Sequence, residues 1–340
     1  MKPVLTIVLT AAIAVTMTSP SFGQNDVDQL LTESFNDGRK LVNAYATPFM
    51  NSVSLGLNQG WYNTAQTHKV AGVDLTITAN AMTIPKSDLL FDVTKLGLEV
   101  IELKGTSPHY PYAPTILGPD DAPVFTFTDS QTGITQEYKG PGGFNLEKEL
   151  GRNWVPVPMA NLGFGLPKGT DIKLRFTPAI DVGGDASLKI YGVGVMHDIK
   201  QWIPGMKLLP FDLSGFVGYT KFKMESYFDK AAYPDRRGLF EMNATTVQGL
   251  ISKKFSVLTL YGGLGYNIAR STLAMKGTYD INGDGQVGAN EIDPLDLNFS
   301  ASGFRTTAGM RLKLAVLTFH ADYTLQKYKC LTVGFGISVR

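Results

Sequence analysis

The sequence predicts an all-β fold, an antiparallel transmembrane β-barrel of about 14 strands with a short N-terminal helix acting as plug or collar. Three observations carry that expectation. The chain opens on an export signal, its later segments alternate apolar and polar residues over membrane-spanning lengths, and short connections alternate with long ones.

The signal occupies residues 1–23. Lys2 supplies the positive start, Val4 to Met17 is apolar apart from threonines, and Ser21-Phe22-Gly23 places small residues before Gln24. That is the layout of a cleaved secretory signal peptide, with an apolar run too short to span a bilayer as a helix. No cysteine lies nearby, so a lipoprotein anchor is excluded, and the mature chain is expected to begin near Gln24. Past the signal no stretch approaches the roughly 18 uninterrupted apolar residues of a membrane helix. The chain holds 36 glycines and 11% aromatic residues, and only 18% of it is charged, against ~25% in soluble domains. Removing Lys2 leaves the remainder formally neutral, which gives no electrostatic footprint for a nucleic-acid partner. The single Cys330 excludes an internal disulfide, so stability must come from the sheet itself.

The N-terminal helical segment is expected over residues 24–48. Asn25 or Asp26 can cap it, and Val27, Leu30, Leu31, Phe35, Leu41 and Val42 mark one face. Such a helix either plugs the barrel mouth or covers an exposed rim, since both bury the same stripe. The barrel is expected over residues 49–340. Its clearest strands read Val73-Leu75-Ile77-Ala79, Ile172-Leu174-Phe176, Leu258-Leu260 through Leu264-Tyr266-Ile268, Ala308-Met310-Leu312-Leu314, Leu317-Phe319-Ala321-Tyr323-Leu325 and Leu331-Val333-Phe335-Ile337-Val339, each interleaved with polar residues or glycine. The longest runs match the ~9–11 residues of a tilted membrane strand. Leu213–Tyr219 and Val247–Ile251 are weaker, and Leu188–Val195 changes phase, which a bulge would produce. The other face carries Gly, Thr, Asn and scattered charges, as a wet or plugged lumen requires. About nine strands follow Val155 and about five precede it, an even total as bacterial barrels require.

Connections support the same scheme. With the C-terminus in the periplasm, tight turns near Pro167-Lys168-Gly169, Lys253-Lys254 and Ala315 fall inside, while Met224–Asn243 and Ser271–Gly303 fall outside. The turn near Lys327–Cys330 and the link His197–Pro210 break the alternation; in the link, Trp202 is expected at headgroup level. The Pro- and Tyr-rich stretch Ser107–Asn153 either enters the lumen or covers the mouth. The end of the chain, with Thr332, Gly334, Ile337 and Val339, partly fits the terminal strand of exported barrels, which normally closes on an aromatic residue rather than Arg340.

Residues 280–291 match a twelve-residue calcium loop. Asp280, Asn282 and Asp284 offer side-chain oxygens, Gln286 its carbonyl and Glu291 a bidentate carboxylate, while Gly285 permits the sharp turn. Gly288 leaves one position to water. The flanks read as extended chain, and Pro294 interrupts any following helix. A structural calcium pinning an exterior loop is the expected cofactor. Catalytic patterns are absent: the four histidines form no H-E-x-x-H, and neither a nucleophile elbow nor a phosphate loop occurs. His320 beside Asp322 is read as part of an interior polar ladder with Arg311 and Lys313, and no enzyme is expected.

Gly60-Trp61-Tyr62-Asn63-Thr64-Ala65, Gly72-Val73-Asp74-Leu75-Thr76, Val157-Pro158-Met159, Gly165–Thr170 and His197–Pro204 together resemble an uncharacterised family of outer-membrane β-barrels common in Bacteroidota. The architecture is also distantly similar to the long-chain fatty-acid transporter barrels, with no residue motif in common. The resemblance implies the cell outer membrane of a Gram-negative bacterium, contact with its lipid, and uptake or passage of a hydrophobic small molecule. The alternatives are a non-transporting structural or secretion-associated component and a soluble periplasmic lipid- or glycan-binding β-protein.

Overall fold

The computed structural model describes residues 35–128, 135–183, 186–227, 233–279, 287–288 and 291–339. A helix, α1 (Phe35–Gly56), is followed by β1 (Val73–Thr83). Five short strands come next: β2 (Leu90–Asp92), β3 (Ile101–Leu103), β4 (Tyr112–Pro114), β5 (Val124–Thr128) and β6 (Thr135–Lys139). After the single-turn helix α2 (Leu146–Leu150) run β7 (Trp154–Leu166), β8 (Thr170–Gly183), β9 (Ala186–Asp198), β10 (Asp212–Tyr227), β11 (Arg237–Phe255), β12 (Leu258–Lys276), β13 (Leu295–Leu314), β14 (Leu317–Leu325) and β15 (Cys330–Val339).

Strand β1 pairs with both β15 and β7, closing an antiparallel barrel in the order β1-β15-β14-β13-β12-β11-β10-β9-β8-β7. The barrel therefore has ten strands rather than about 14. The nine after residue 153 are as expected, but only β1 joins them from the N-terminal side. Strands β2–β6 are 3 to 5 residues long, too short to cross a bilayer, and form two small sheets outside the barrel.

All the tight turns predicted for one side do lie at one end, with the C-terminus. We call this the short-turn end; the connection 84–153 and the segment 277–294 mark the long-loop end. The expected outward rows are confirmed: Leu75, Ile77, Leu174, Leu264, Met310, Phe319, Phe335 and Ile337 are all exposed. Such an apolar outer surface suits lipid and not water. The wall is uneven in height, with β10–β13 running 16 to 20 residues and β1, β14 and β15 only 9 to 11. Over the low side the stretch 84–153 forms a cap. Its Val93, Ile101, Ala113, Phe125, Phe127 and Tyr138 bury Leu41 of α1, and its Ile84, Leu117 and Leu146 pack with Met50, Met82 and Val155, so the described part of this stretch covers the mouth.

Two expectations change here. The helix ends at Gly56 rather than residue 48, continuing through Pro48, and barrel pairing begins at Val73 rather than 49. The phase change in β9 is not a bulge in that strand: Leu188 and Met196 are both buried while Tyr191, Val193 and Val195 are exposed. The register breaks lie between Thr177 and Ile180 and between Asp181 and Gly183, on β8.

Candidate functional site

The lumen is filled by the chain's own N-terminal part. Helix α1 enters from the long-loop end, where Arg39 Nη2 donates to the Asp296 carbonyl at 3.1 Å. Asp37 Oδ2 accepts the amides of Glu99, Val100 and Ile101 of the cap at 2.7, 2.8 and 3.1 Å. Burial alone would raise the Asp37 carboxyl, but the three amides and Lys40 outweigh it and hold it below the ordinary carboxylate range. One end of the plug is thus tied to the cap by an ionised carboxylate.

The other end is tied to the wall. A helix C-terminus leaves carbonyls without intrahelical donors, and two lumenal arginines supply them. Arg175 Nη1 donates to the Leu57 carbonyl at 2.5 Å, Nη2 to the Gln59 carbonyl, and Nε to Asn161 Oδ1 at 2.5 Å. From the opposite wall Arg305 Nη1 donates to the Asn58 carbonyl at 2.9 Å and Nη2 to Gln59 Oε1 at 2.7 Å. Asn161 Nδ2 donates to the Gly60 carbonyl at 2.7 Å. Both guanidinium charges also oppose the negative end of the helix dipole. The segment 57–60 is clamped from two sides.

Below the clamp sits an aromatic block. Trp61 and Tyr62 pack with Met196, Phe216, Leu250 and Tyr261. The Arg175 guanidinium lies 3.6 Å from the Trp61 ring centroid, a cation–π contact in a dry setting. The wall makes room with glycine: a Cβ on Gly218 would fall 2.9 Å from Trp61 Cε2, and one on Gly263 would fall 2.6 Å from the Tyr62 hydroxyl. The chain then leaves along β8, where His68 Nδ1 meets Asp171 Oδ2 at 2.8 Å, and turns back into β1.

The lumen is divided by chemistry. Its short-turn half carries Asp74, Lys173, Arg311, His320 and Asp322, as the alternation predicted. Its long-loop half is apolar, a feature the sequence reading missed. There Met82, Val155, Val157, Met159, Met242, Leu297 and Phe299 surround Phe49, Met50 and Leu55 of α1. On the β9–β11 side, Leu188 and Met224 back a patch that also includes the only partly buried Ile190, Phe222 and Phe240.

The wall beside this apolar half is interrupted. Pairing of β7 with β8 runs from Leu166↔Thr170 to Leu162↔Leu174 and stops; above that level β7 pairs only with β1, and β8 only with β9. Prolines on both strands withhold donors from this stretch, Pro178 on β8 among them, although Ala160, which keeps its amide, pairs with β1 alone. The Gly165 amide donates toward the β1 side, to the Gly72 carbonyl, so by alternation the even-numbered amides of β7 face β8. Positions 156 and 158 are prolines, which have no amide to give. Inside this seam Val155, Val157 and Met159 are buried, and Gly56 of α1 fits against Val157, where a Cβ would lie 2.6 Å from Cγ2. The plug seals the seam.

The proposed calcium ligands Asp280, Asn282, Asp284 and Gln286 lie outside the described residues. Glu291 is described, and its Oε2 accepts the Gly288 amide at 2.6 Å. The loop's neck is closed by a bridge between Thr278 and Ile292 and by the Tyr279 amide on the Glu291 carbonyl at 2.9 Å, so the flanks are extended, as expected. His320 and Asp322 share the interior face without meeting: Asp322 Oδ2 accepts the Tyr261 hydroxyl at 2.8 Å, and neither His320 nitrogen has a hydrogen-bond partner.

The chain belongs to a family of unknown function, DUF6588, whose model matches residues 1–339. No curated protein matches it. Among solved structures it is similar to the attachment invasion locus protein Ail of Yersinia pestis, at 9% identity over 80% of this chain and 99% of that one, with a TM-score of 0.25. The translocator domain of the autotransporter NalP from Neisseria meningitidis gives 11% identity, 86% and 93% coverage and a TM-score of 0.31. The Pseudomonas putida toluene transporter TodX gives 10%, 88% and 75%, with a TM-score of 0.26. At such scores the fold assignment rests on the closed ladder itself.

Proposed function

We propose that this protein is an outer-membrane barrel that passes a hydrophobic small molecule from its long-loop mouth toward the lipid through the β7/β8 seam. The orientation follows from loop length: the short-turn end faces the periplasm and the capped end the exterior. The observation that carries the reading is the coincidence of the apolar half of the lumen with an unpaired stretch of wall. Among the described residues packed around Phe49, Met50 and Leu55, a ligand in the apolar half meets no charged side chain before the seam, whereas the route to the periplasm is closed by the arginine clamp and the aromatic block. A calcium ion held by Asp280, Asn282, Asp284, Gln286 and Glu291 would tighten the exterior loop 277–294.

The test restores the missing donors of β7. Pro156→Ala with Pro158→Ala lets β7 donate to β8 and zip the seam. The double variant is expected to remain folded, shown by heat-modifiable mobility in dodecyl sulfate, and to lose most uptake of a labelled alkane or aromatic hydrocarbon by cells. Undiminished uptake in the folded double variant would overturn the lateral route. Calcium binding is checked separately by protease resistance of 277–294 with and without chelator, in the native chain and in Glu291→Gln.

A further inference from the structure

In the periplasmic half of the lumen lies a cluster that neither the plug nor the seam uses. Arg311 and His320 are register partners on β13 and β14, both facing inward, 9% and 6% exposed. Neither makes a hydrogen bond or ion pair among the described residues; Arg311 Nε and both His320 nitrogens are buried and unpartnered. Buried donors are almost always satisfied, and a guanidinium cannot escape by losing its proton. The nearby carboxylates have other contacts, although Asp74 Oδ1 accepts no hydrogen bond. Asp74 Oδ1 lies 3.5 Å from Lys173 Nζ and 3.4 Å from His68 Nε2, and its Oδ2 accepts the Thr76 hydroxyl at 3.1 Å. Asp171 holds His68, and Asp322 holds Tyr261. Lys313 Nζ, on the inward row below, reaches Ser338 Oγ at 3.1 Å. Arg311 therefore has no direct ion-pair partner among the described residues, Asp74 attracting it without contact.

We infer that Arg311 and His320 form a binding site for an oxyanion, the carboxylate or phosphate group of a ligand entering from the periplasmic mouth. The planar guanidinium presents a fork matched to two such oxygens. The imidazole itself is seated by glycine: it lies against Gly334, where a Cβ would come 2.3 Å from His320 Cε1. One cross-strand row leads outward from the pair, Arg311 to Thr259 to Lys254. Lys69, Lys168, Lys253 and Lys254 are all exposed at this mouth. Of the acids at the same end, Asp198 accepts the Lys200 amide and Asp212 the Ser252 hydroxyl. A basic rim over an unpaired guanidinium concentrates anions at the entrance. This site stands apart from the hydrophobic route above the clamp.

The test is calorimetric titration of the detergent-solubilised full chain with inorganic phosphate, hexanoate and glycerol 3-phosphate, at ionic strength fixed with chloride. One saturable site for at least one oxyanion is expected. Arg311→Met should weaken it at least tenfold and His320→Gln about threefold, with the heat-modifiable mobility retained. If Arg311→Met fails to fold, Arg311→Lys keeps the charge without the fork and should also lose about tenfold. Preference for glycerol 3-phosphate over free phosphate would identify a lipid headgroup as the source; the reverse order would identify a solute. No saturable site in the native chain, or equal affinity in the folded Arg311 variants, would overturn the inference and leave a water-filled chamber.

Discussion

Replacing Arg175 by leucine tests whether the plug is held where the clamp holds it. The side chain is 2% exposed and serves the carbonyls of Leu57 and Gln59, Asn161 Oδ1 and the face of Trp61. Removing a buried ion is often harmless when its partners can also become apolar. Here the principal partners are backbone carbonyls, which no substitution at 175 removes. Each acceptor left buried and unsatisfied costs about 1–3 kcal/mol, and the lost cation–π contact about 1 kcal/mol. Leucine regains part of this by burying apolar surface, so a net loss of about 3 kcal/mol is expected, local to the plug. At about 1.4 kcal/mol per tenfold, the undocked population of 57–62 should rise by roughly a hundredfold. Hydrogen exchange read by mass spectrometry reports it directly, because the amides of Leu57, Asn58 and Gln59 are all bonded within the last turn, to Val53, Leu55 and Gly56. Exchange within about threefold of the native rate, in a protein whose barrel still resists dodecyl sulfate, would refute the clamp. Arg175→Lys should rescue little, since one ammonium cannot span both carbonyls.

Three further outcomes are expected. Gly56→Cys with Val157→Cys should form a disulfide, because a Cβ at 56 would lie 3.1 Å from that of Val157, half an ångström or so short of common geometry; hydrocarbon uptake should stop on oxidation and return with reductant. Gly218→Val should lower the temperature of the mobility shift, at a cost of about 1–3 kcal/mol from overpacking against Trp61, whereas Gly249→Val, at a glycine with nothing within 4 Å of its Cβ position, should not. Asp37, whose folded carboxyl is held low, contributes docking stability present above the unfolded carboxylate value of about 4 and lost as pH falls through the lower folded value. Proteolysis of the cap should therefore accelerate below about pH 4 in the native chain and be fast at neutral pH in Asp37→Ala.

The outer surface was legible because lipid imposes a strict rule on it. Every clear alternating row, from Val73 to Val339, points where alternation put it, and both glycines of Gly163 and Gly263 sit under side chains that need the room. What misled was the assumption that the lumen is polar throughout. On the tall side of the barrel the rule inverts: Met224 and Met242 face inward and are buried, while Lys221 and Glu241 on alternate positions form an ion pair at 2.5 Å on the outer wall. Apolar residues there mark the plug's packing face rather than lipid. The same inversion produced the false phase change at Leu188–Val195 and shortened the expected β10–β13. The strand count failed for a different reason. Segments such as Val124–Thr128 alternate perfectly well, but alternation describes any half-buried sheet, and only length separates a cap from a wall. The clamp left almost no signal, since Arg175 reads as an ordinary polar-row charge and Arg305 lies in no row the alternation marks, until the carbonyls of 57–59 are placed between them.

On the proposed route the two halves of the lumen impose different demands on a ligand. A hydrophobic molecule crossing to the short-turn end would have to displace Trp61 and Tyr62 and then traverse a row of charged groups, giving up apolar contacts with no comparable surface to replace them. Leaving sideways, it exchanges the side chains of Val155, Val157 and Met159 for lipid tails at little change in solvation. The same argument runs in reverse for a charged ligand, which finds donors only below the clamp. The plug is therefore better understood as a partition than as a stopper. Its helix shapes an apolar compartment against the tall wall, and its extended tail from Trp61 to Gly72 walls off a polar one. Because one polypeptide segment bounds both, loosening the clamp should alter hydrocarbon passage and oxyanion affinity together. Independence of the two in Arg175→Leu would show that the compartments share a barrel and nothing else.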